Sequence, residues 1–117
     1  MLSEYFNKIN IDTNEIEQLQ IKNIVVNNIA KVINNNINKL FYFSHSNCFI
    51  TQIVDNSIGS NFSINTLNVE SYVDVINNEV EGNTELKTIS IGSNLSINTL
   101  NNKGSLNILN ANIDKNT

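Results

Sequence analysis

The chain has 117 residues, 40 % of them hydrophobic and 15 % charged, with a net charge of −4. A domain of this length buries roughly two thirds of its unfolded surface, so the composition supports one core and leaves no room for a second domain. Arg is absent and the few Lys are scattered along the chain, which argues against a nucleic-acid partner, because phosphate binding needs clustered cations.

Asn and Ile are the commonest residue types and together make up more than a third of the chain. An AT-rich coding bias would raise Lys together with Asn, yet Lys stays low, so the surface reads as polar but uncharged. Such a surface gives weak protection against self-association. Met1 to Asn7 contains neither the basic region nor the apolar run of a secretory leader. The longest apolar runs, Ile24-Val25-Val26 and Leu40-Phe41-Tyr42-Phe43, fall far short of the roughly 20 residues that cross a bilayer, so no membrane span is expected. The single cysteine, Cys48, rules out a disulfide framework within one chain and leaves a free thiol or a bridge between chains.

Residues 1–17 alternate weakly at Ile9 and Ile11 and are otherwise mostly polar. They read as an N-terminal arm able to add a strand to a neighbour's sheet, ahead of a domain over 18–117. For 15–40 two readings compete. Val26, Ile29, Ala30, Ile33, Ile37 and Leu40 fit the stripe of an amphipathic helix, but the many Asn and β-branched residues oppose it. Strands broken by Asn turns account better for the Asn clusters: 18–26, 29–33 and 37–43, then a hairpin loop over 44–47 and a strand over 48–54.

The second half repeats itself. Ser57-Ile58-Gly59-Ser60-Asn61-Phe62-Ser63-Ile64-Asn65-Thr66-Leu67-Asn68 recurs as Ser90-Ile91-Gly92-Ser93-Asn94-Leu95-Ser96-Ile97-Asn98-Thr99-Leu100-Asn101, with Leu95 in place of Phe62 the one difference. Each copy is a Gly-Ser-Asn turn leading into an alternating strand. In each the apolar phase then slips by one, from Ile64 to Leu67 and from Ile97 to Leu100, as at a β-bulge or a sheet corner. Between the copies lie an apolar strand over 72–76, a polar turn over 77–84 and a strand from Leu86; a last strand spans 106–113. A solenoid needs about three stacked units and only two copies are visible. The expected fold is therefore all-β, a single antiparallel β-sandwich or jelly roll of eight to nine strands. The alternatives are an N-terminal helix plus sheet, or a short β-solenoid.

Little of this points to chemistry. His45 and Cys48 would sit near each other across the 44–47 hairpin, but no P-loop, nucleophile elbow or dinucleotide fingerprint accompanies them. No catalytic, cofactor-binding or metal-ligating residue is assigned, and the chain is not expected to be an enzyme. The acidic stretch 77–85 lacks the spaced ligands of a calcium loop. Charge is unevenly placed, however. Lys22, Lys31 and Lys39 occupy 18–54 without an acid, whereas Glu70, Asp74, Glu79, Glu81 and Glu85 occupy 70–85 without a lysine. Docking one region on the other in a neighbouring copy gives a head-to-tail contact that propagates. The candidate assembly residues are Ile9, Ile11, Lys22, Lys31, Lys39, Glu70, Glu79, Glu81 and Glu85, with Cys48 as a candidate interchain disulfide.

The stretch from Thr88 to Leu100, followed by Gly104-Ser105-Leu106-Asn107-Ile108, resembles the closing strands of the small jelly-roll subunits of bacterial endospore appendages. That resemblance covers the last third of the chain. It implies an N-terminal connector arm and a non-enzymatic fibre on a spore surface; the N-terminal cysteines that cross-link that family are missing here. The expected function is a structural subunit that self-assembles with copies of itself into an extracellular fibre or surface layer by strand addition. The alternative is a small host- or glycan-binding module of a phage or virus particle.

Overall fold

Every strand pairing among the described residues is parallel. The computed structural model describes residues 4–98 and 101–113, and over them the chain winds as a β-solenoid of about five coils. β1 (Glu4–Phe6), β2 (Ile9–Asp12), β3 (Glu15–Ile16) and β4 (Leu19–Lys22) occupy the four sides of the first coil. β5 (Ile24–Ile33), β6 (Asn36–Ile37) and the long, bent β7 (Phe41–Val54) stack on them, followed by β8 (Ser57–Ile58), β9 (Phe62–Val69), β10 (Val73–Ile76), β11 (Glu79–Val80) and β12 (Thr84–Ile91). The last described coil holds β13 (Leu95–Asn98), β14 (Asn101–Asn102) and β15 (Leu106–Ile113).

Each coil sets a residue beside its counterpart one turn further along the chain, as the run Phe41↔Phe62↔Thr84↔Leu106 shows. The coil period is 21 or 22 positions, the separations of Asn35 from Asn56 and of Asn56 from Asn78. Left-handed corners recur twice per coil. Thr13, Asn23, Asn34, His45, Asp55, Thr66, Asn77 and Thr88 all have φ between 51° and 59°. Each turns the chain without reversing it, because the amide at the corner bonds to the neighbouring coil and not back along its own strand: Asn23 N–H donates to Ser44 O, Asn34 N–H to Val54 O and Asp55 N–H to Ile76 O, at 3.0–3.2 Å. Asn and Asp tolerate this left-handed conformation, whereas a β-branched Thr is strained in it. Thr88, exposed at its corner, is therefore a stabilisable position: Thr88→Asn is expected to gain about 1 kcal/mol, read as a higher urea midpoint at unchanged slope.

Inward-facing residues stack in columns. Leu19, Phe41, Phe62, Thr84 and Leu106 form one, with the Phe41 and Phe62 rings stacked at 5.0 Å. Val26, Cys48, Val69 and Ile91 form another, and Ile11, Val32, Ile53, Val75 and Ile97 a third. A polar column runs through the same interior: Asn14, Asn35, Asn56 and Asn78, the last three fully buried. Each side-chain oxygen accepts the backbone N–H of the Asn one coil earlier, from Asn14 to Asn35, Asn35 to Asn56 and Asn56 to Asn78, at 3.0–3.1 Å. The side-chain amides of Asn35, Asn56 and Asn78 donate to the carbonyls of Ile11, Val32 and Ile53.

The antiparallel sandwich or jelly roll is thus overturned: the fold is all-β but parallel. The two copies of the Ser-Ile-Gly-Ser-Asn segment stand one and a half coils apart, so they lie on opposite sides of the solenoid axis and do not mark equivalent strands of two packed sheets. The helix considered for 15–40 is strand over Ile24–Ile33, and the 44–47 hairpin is a corner at His45 inside β7. The phase slip after Ile64 is the left-handed corner at Thr66; the corresponding slip at Thr99 and Leu100 lies outside the described residues. The described part of the segment read as an arm, 4–17, is the first coil, paired through β1, β2 and β3 to β5 and β6.

Candidate functional site

The candidate assembly residues are dispersed over the solenoid. Ile9 and Ile11 of β2 face inward and pack on the core. Lys22 ends β4, with its ammonium 5.5 Å from the centroid of the Tyr42 ring. Asn65 beside the hydroxyl, followed by lesser effects that include the Lys22 charge, lowers the pKa of that phenol. Lys39 pairs with Glu17 at 3.6 Å and Lys103 with Glu81 at 2.9 Å, both pairs well exposed. Glu70 and Glu79 are exposed on different sides of the solenoid, and Glu85 is half-buried on β12. Lys39 and Glu81 are thus each engaged in an ion pair within the chain.

Cys48 is buried in its apolar column, and desolvation raises its thiol pKa. His45 is exposed at its corner, so imidazole and thiol occupy opposite faces of the wall, one outside and one within. No group of three or more His, Cys, Asp or Glu that could hold a metal occurs among the described residues. A groove of about 410 Å³ is lined by Asp55, Ser57, Asn77, Glu79 and Asn101 over Asn56 and Asn78. Asn56 and Asn78 are already committed to the interior ladder, so its floor offers little free hydrogen-bonding capacity. No helix among the described residues is long and apolar enough to cross a membrane.

The surface that departs most from an ordinary soluble exterior is the last described coil. Leu106 and Ile108 continue the columns of Phe41 and Phe43, yet both are 44 % exposed, and Leu109 is 50 % exposed. Within the described residues β15 pairs with one strand, β12, and its outer N–H and C=O groups face away from the coil below. Sequence reasoning missed this rim because alternation at Leu106 and Ile108 is identical to that of a covered strand; only the stacking shows that no described strand pairs on the far side of β15. No family model, curated protein or solved structure matches the chain.

Proposed function

We propose that the protein is a structural subunit that self-assembles by strand addition on the rim of its last coil. The exposure of Leu106, Ile108 and Leu109 on β15, which among the described residues pairs with β12 alone, carries this reading. An open edge is a template for another strand, and apolar residues along it add burial to main-chain hydrogen bonding. A second copy stacked head-to-tail brings its own Leu19 and Ile21 over Leu106 and Ile108, extending both apolar columns. In this register the backbone of Phe6 of the incoming copy falls on the rung of Ile113, because the Cα registers run Phe6↔Val26↔Cys48↔Val69↔Ile91↔Ile113. Assembly therefore displaces that end of β15. A heterologous contact of this kind does not close, so it builds filaments.

Light scattering and electron microscopy across a concentration series test the reading. The expected result is growth beyond dimers with rising concentration, abolished by Ile108→Lys, which sets a charge in the rim while leaving the folded monomer intact by circular dichroism. A wild-type protein that stays monodisperse at high concentration, or an Ile108→Lys variant that polymerises equally well, overturns it.

A further inference from the structure

The solenoid side built from β2, the second half of β5, the end of β7, β10 and β13 presents one continuous outer face. Its middle column runs Asn10, Lys31, Gln52, Asp74 and Ser96. On one flank Ile33, Val54 and Ile76 stack outward, and on the other Ile29, Ile50 and Tyr72. None of these six apolar side chains belongs to the interior, and all six are half-buried on the outside. Three successive coils thus carry apolar residues on both flanks of a polar stripe.

The charges of that stripe are unspent. Among the described residues neither Lys31 nor Asp74 forms an ion pair, and Asp74 accepts one long bond, 3.4 Å, from the Gln52 amide. Lys31 and Asp74 lie two coils apart, about 10 Å between rungs, with Gln52 between them. The stripe reads polar, positive, amide, negative, polar, with Gln52 at its centre.

We propose that this face docks on the same face of a second copy, with the two solenoid axes antiparallel. A two-fold axis lying in the interface along Ile50–Val54 sets Lys31 against Asp74 of the other copy, Gln52 against Gln52, Ile33 against Ile76 and Ile29 against Tyr72. A two-fold axis along the solenoid sets Lys31 against Lys31 and Asp74 against Asp74 instead, and like charges facing each other exclude it. The antiparallel arrangement is isologous and closes at two copies. The extent of the strands along this side, over its stacked coils, gives a face of about 400 Å² per copy, below the roughly 600 Å² per partner at which stable interfaces begin, so the dimer is weak and concentration-dependent. This contact is independent of the rim contact proposed above, because it uses a lateral face and stops at two.

Sedimentation equilibrium up to millimolar protein, in the Ile108→Lys background so that end-on growth does not contribute, tests it. A monomer–dimer equilibrium is expected. Lys31→Asp and Asp74→Lys should each weaken the dimer about tenfold, by placing like charges opposite each other, and the double reversal Lys31→Asp/Asp74→Lys should restore it to within about threefold. Loss of fold in either single variant would also persist in the double variant, so rescue separates charge pairing from misfolding. Absence of a dimer at the highest concentration, single reversals without effect, or a double reversal that fails to rescue overturns the proposal. Species larger than two copies in this background would count against the rim contact and not against this face.

Discussion

Asn56→Ala is expected to lower the unfolding free energy by about 3 kcal/mol, the cost of orphaning buried hydrogen-bonding groups. Asn56 is 2 % exposed and holds the middle of the interior ladder. Its oxygen accepts both the backbone N–H and the side-chain amide of Asn35, and its own amide donates to Val32 O and to the Asn78 oxygen. Alanine removes all of these at once and leaves the Asn35 N–H and the Val32 carbonyl buried away from water. Each such orphaned group costs about 1–3 kcal/mol, while the bond it replaces contributes only about 1 kcal/mol net, so the orphaning decides the magnitude. Asn14→Ala is the control. Asn14 is exposed and only donates into the ladder, so its side chain can be lost for less than about 0.5 kcal/mol. Urea titrations of the two variants beside the wild type give the comparison directly. Equal costs at the two positions would show that the buried amides do not act as a ladder.

Gly59→Ala is expected to destabilise by about 3 kcal/mol or more, and Gly92→Ala by a similar amount, as overpacking against rigid main chain does. Neither glycine has positive φ, so conformational freedom is not the reason. The reason is space: a Cβ on Gly59 would lie 2.1 Å from the backbone oxygen of Asn38, and one on Gly92 2.1 Å from that of Glu70. Both obstacles are main chain in the coil below, held there by Gly59 N–H donating to Ile37 O and Gly92 N–H to Val69 O, at 2.8 and 2.9 Å. Relief requires two coils to part locally, breaking ladder bonds on either side, which places the cost at the upper end of overpacking effects. Gly59 and Gly92 hold the same place in the two copies of the repeated segment, on opposite sides of the axis. Thermal or urea unfolding that gives matched losses would support that internal two-fold relation, and a tolerated alanine at either position would contradict the close approach of the coils.

Much of the local structure was legible in the residues. Low charge, abundant β-branched residues and short alternations at Phe41/Phe43, Phe62/Ile64 and Val73/Val75 call for strands with one buried face. The Asn-rich breaks at 34–36 and 77–78 mark changes of direction, and the recurrence of Ser-Ile-Gly-Ser-Asn marks two equivalent corners. The direction of each turn was not legible. An Asn in the left-handed conformation serves a hairpin and a solenoid corner equally well, and the difference lies in whether the corner N–H bonds back along its own strand or across to the next coil, as Asn34 does to Val54. Coil length was hidden for a related reason. The identical segments starting at Ser57 and Ser90 are one and a half coils apart, while the true coil period is carried only by residue class, as in Thr13-Asn14, Asn34-Asn35, Asp55-Asn56 and Asn77-Asn78.

Composition and alternation by themselves determined that this chain is β-structured, that its inward positions are apolar and that its surface is sparsely charged, because side-chain period and hydrophobicity are local properties. Parallel stacking, the burial of Asn35, Asn56 and Asn78 in particular, the rim at Leu106 and Ile108, and the alignment of Lys31, Gln52 and Asp74 on one face were decided by the tertiary structure. Each depends on which residue lies one coil above or below, a contact across a whole turn of the solenoid that no local pattern specifies.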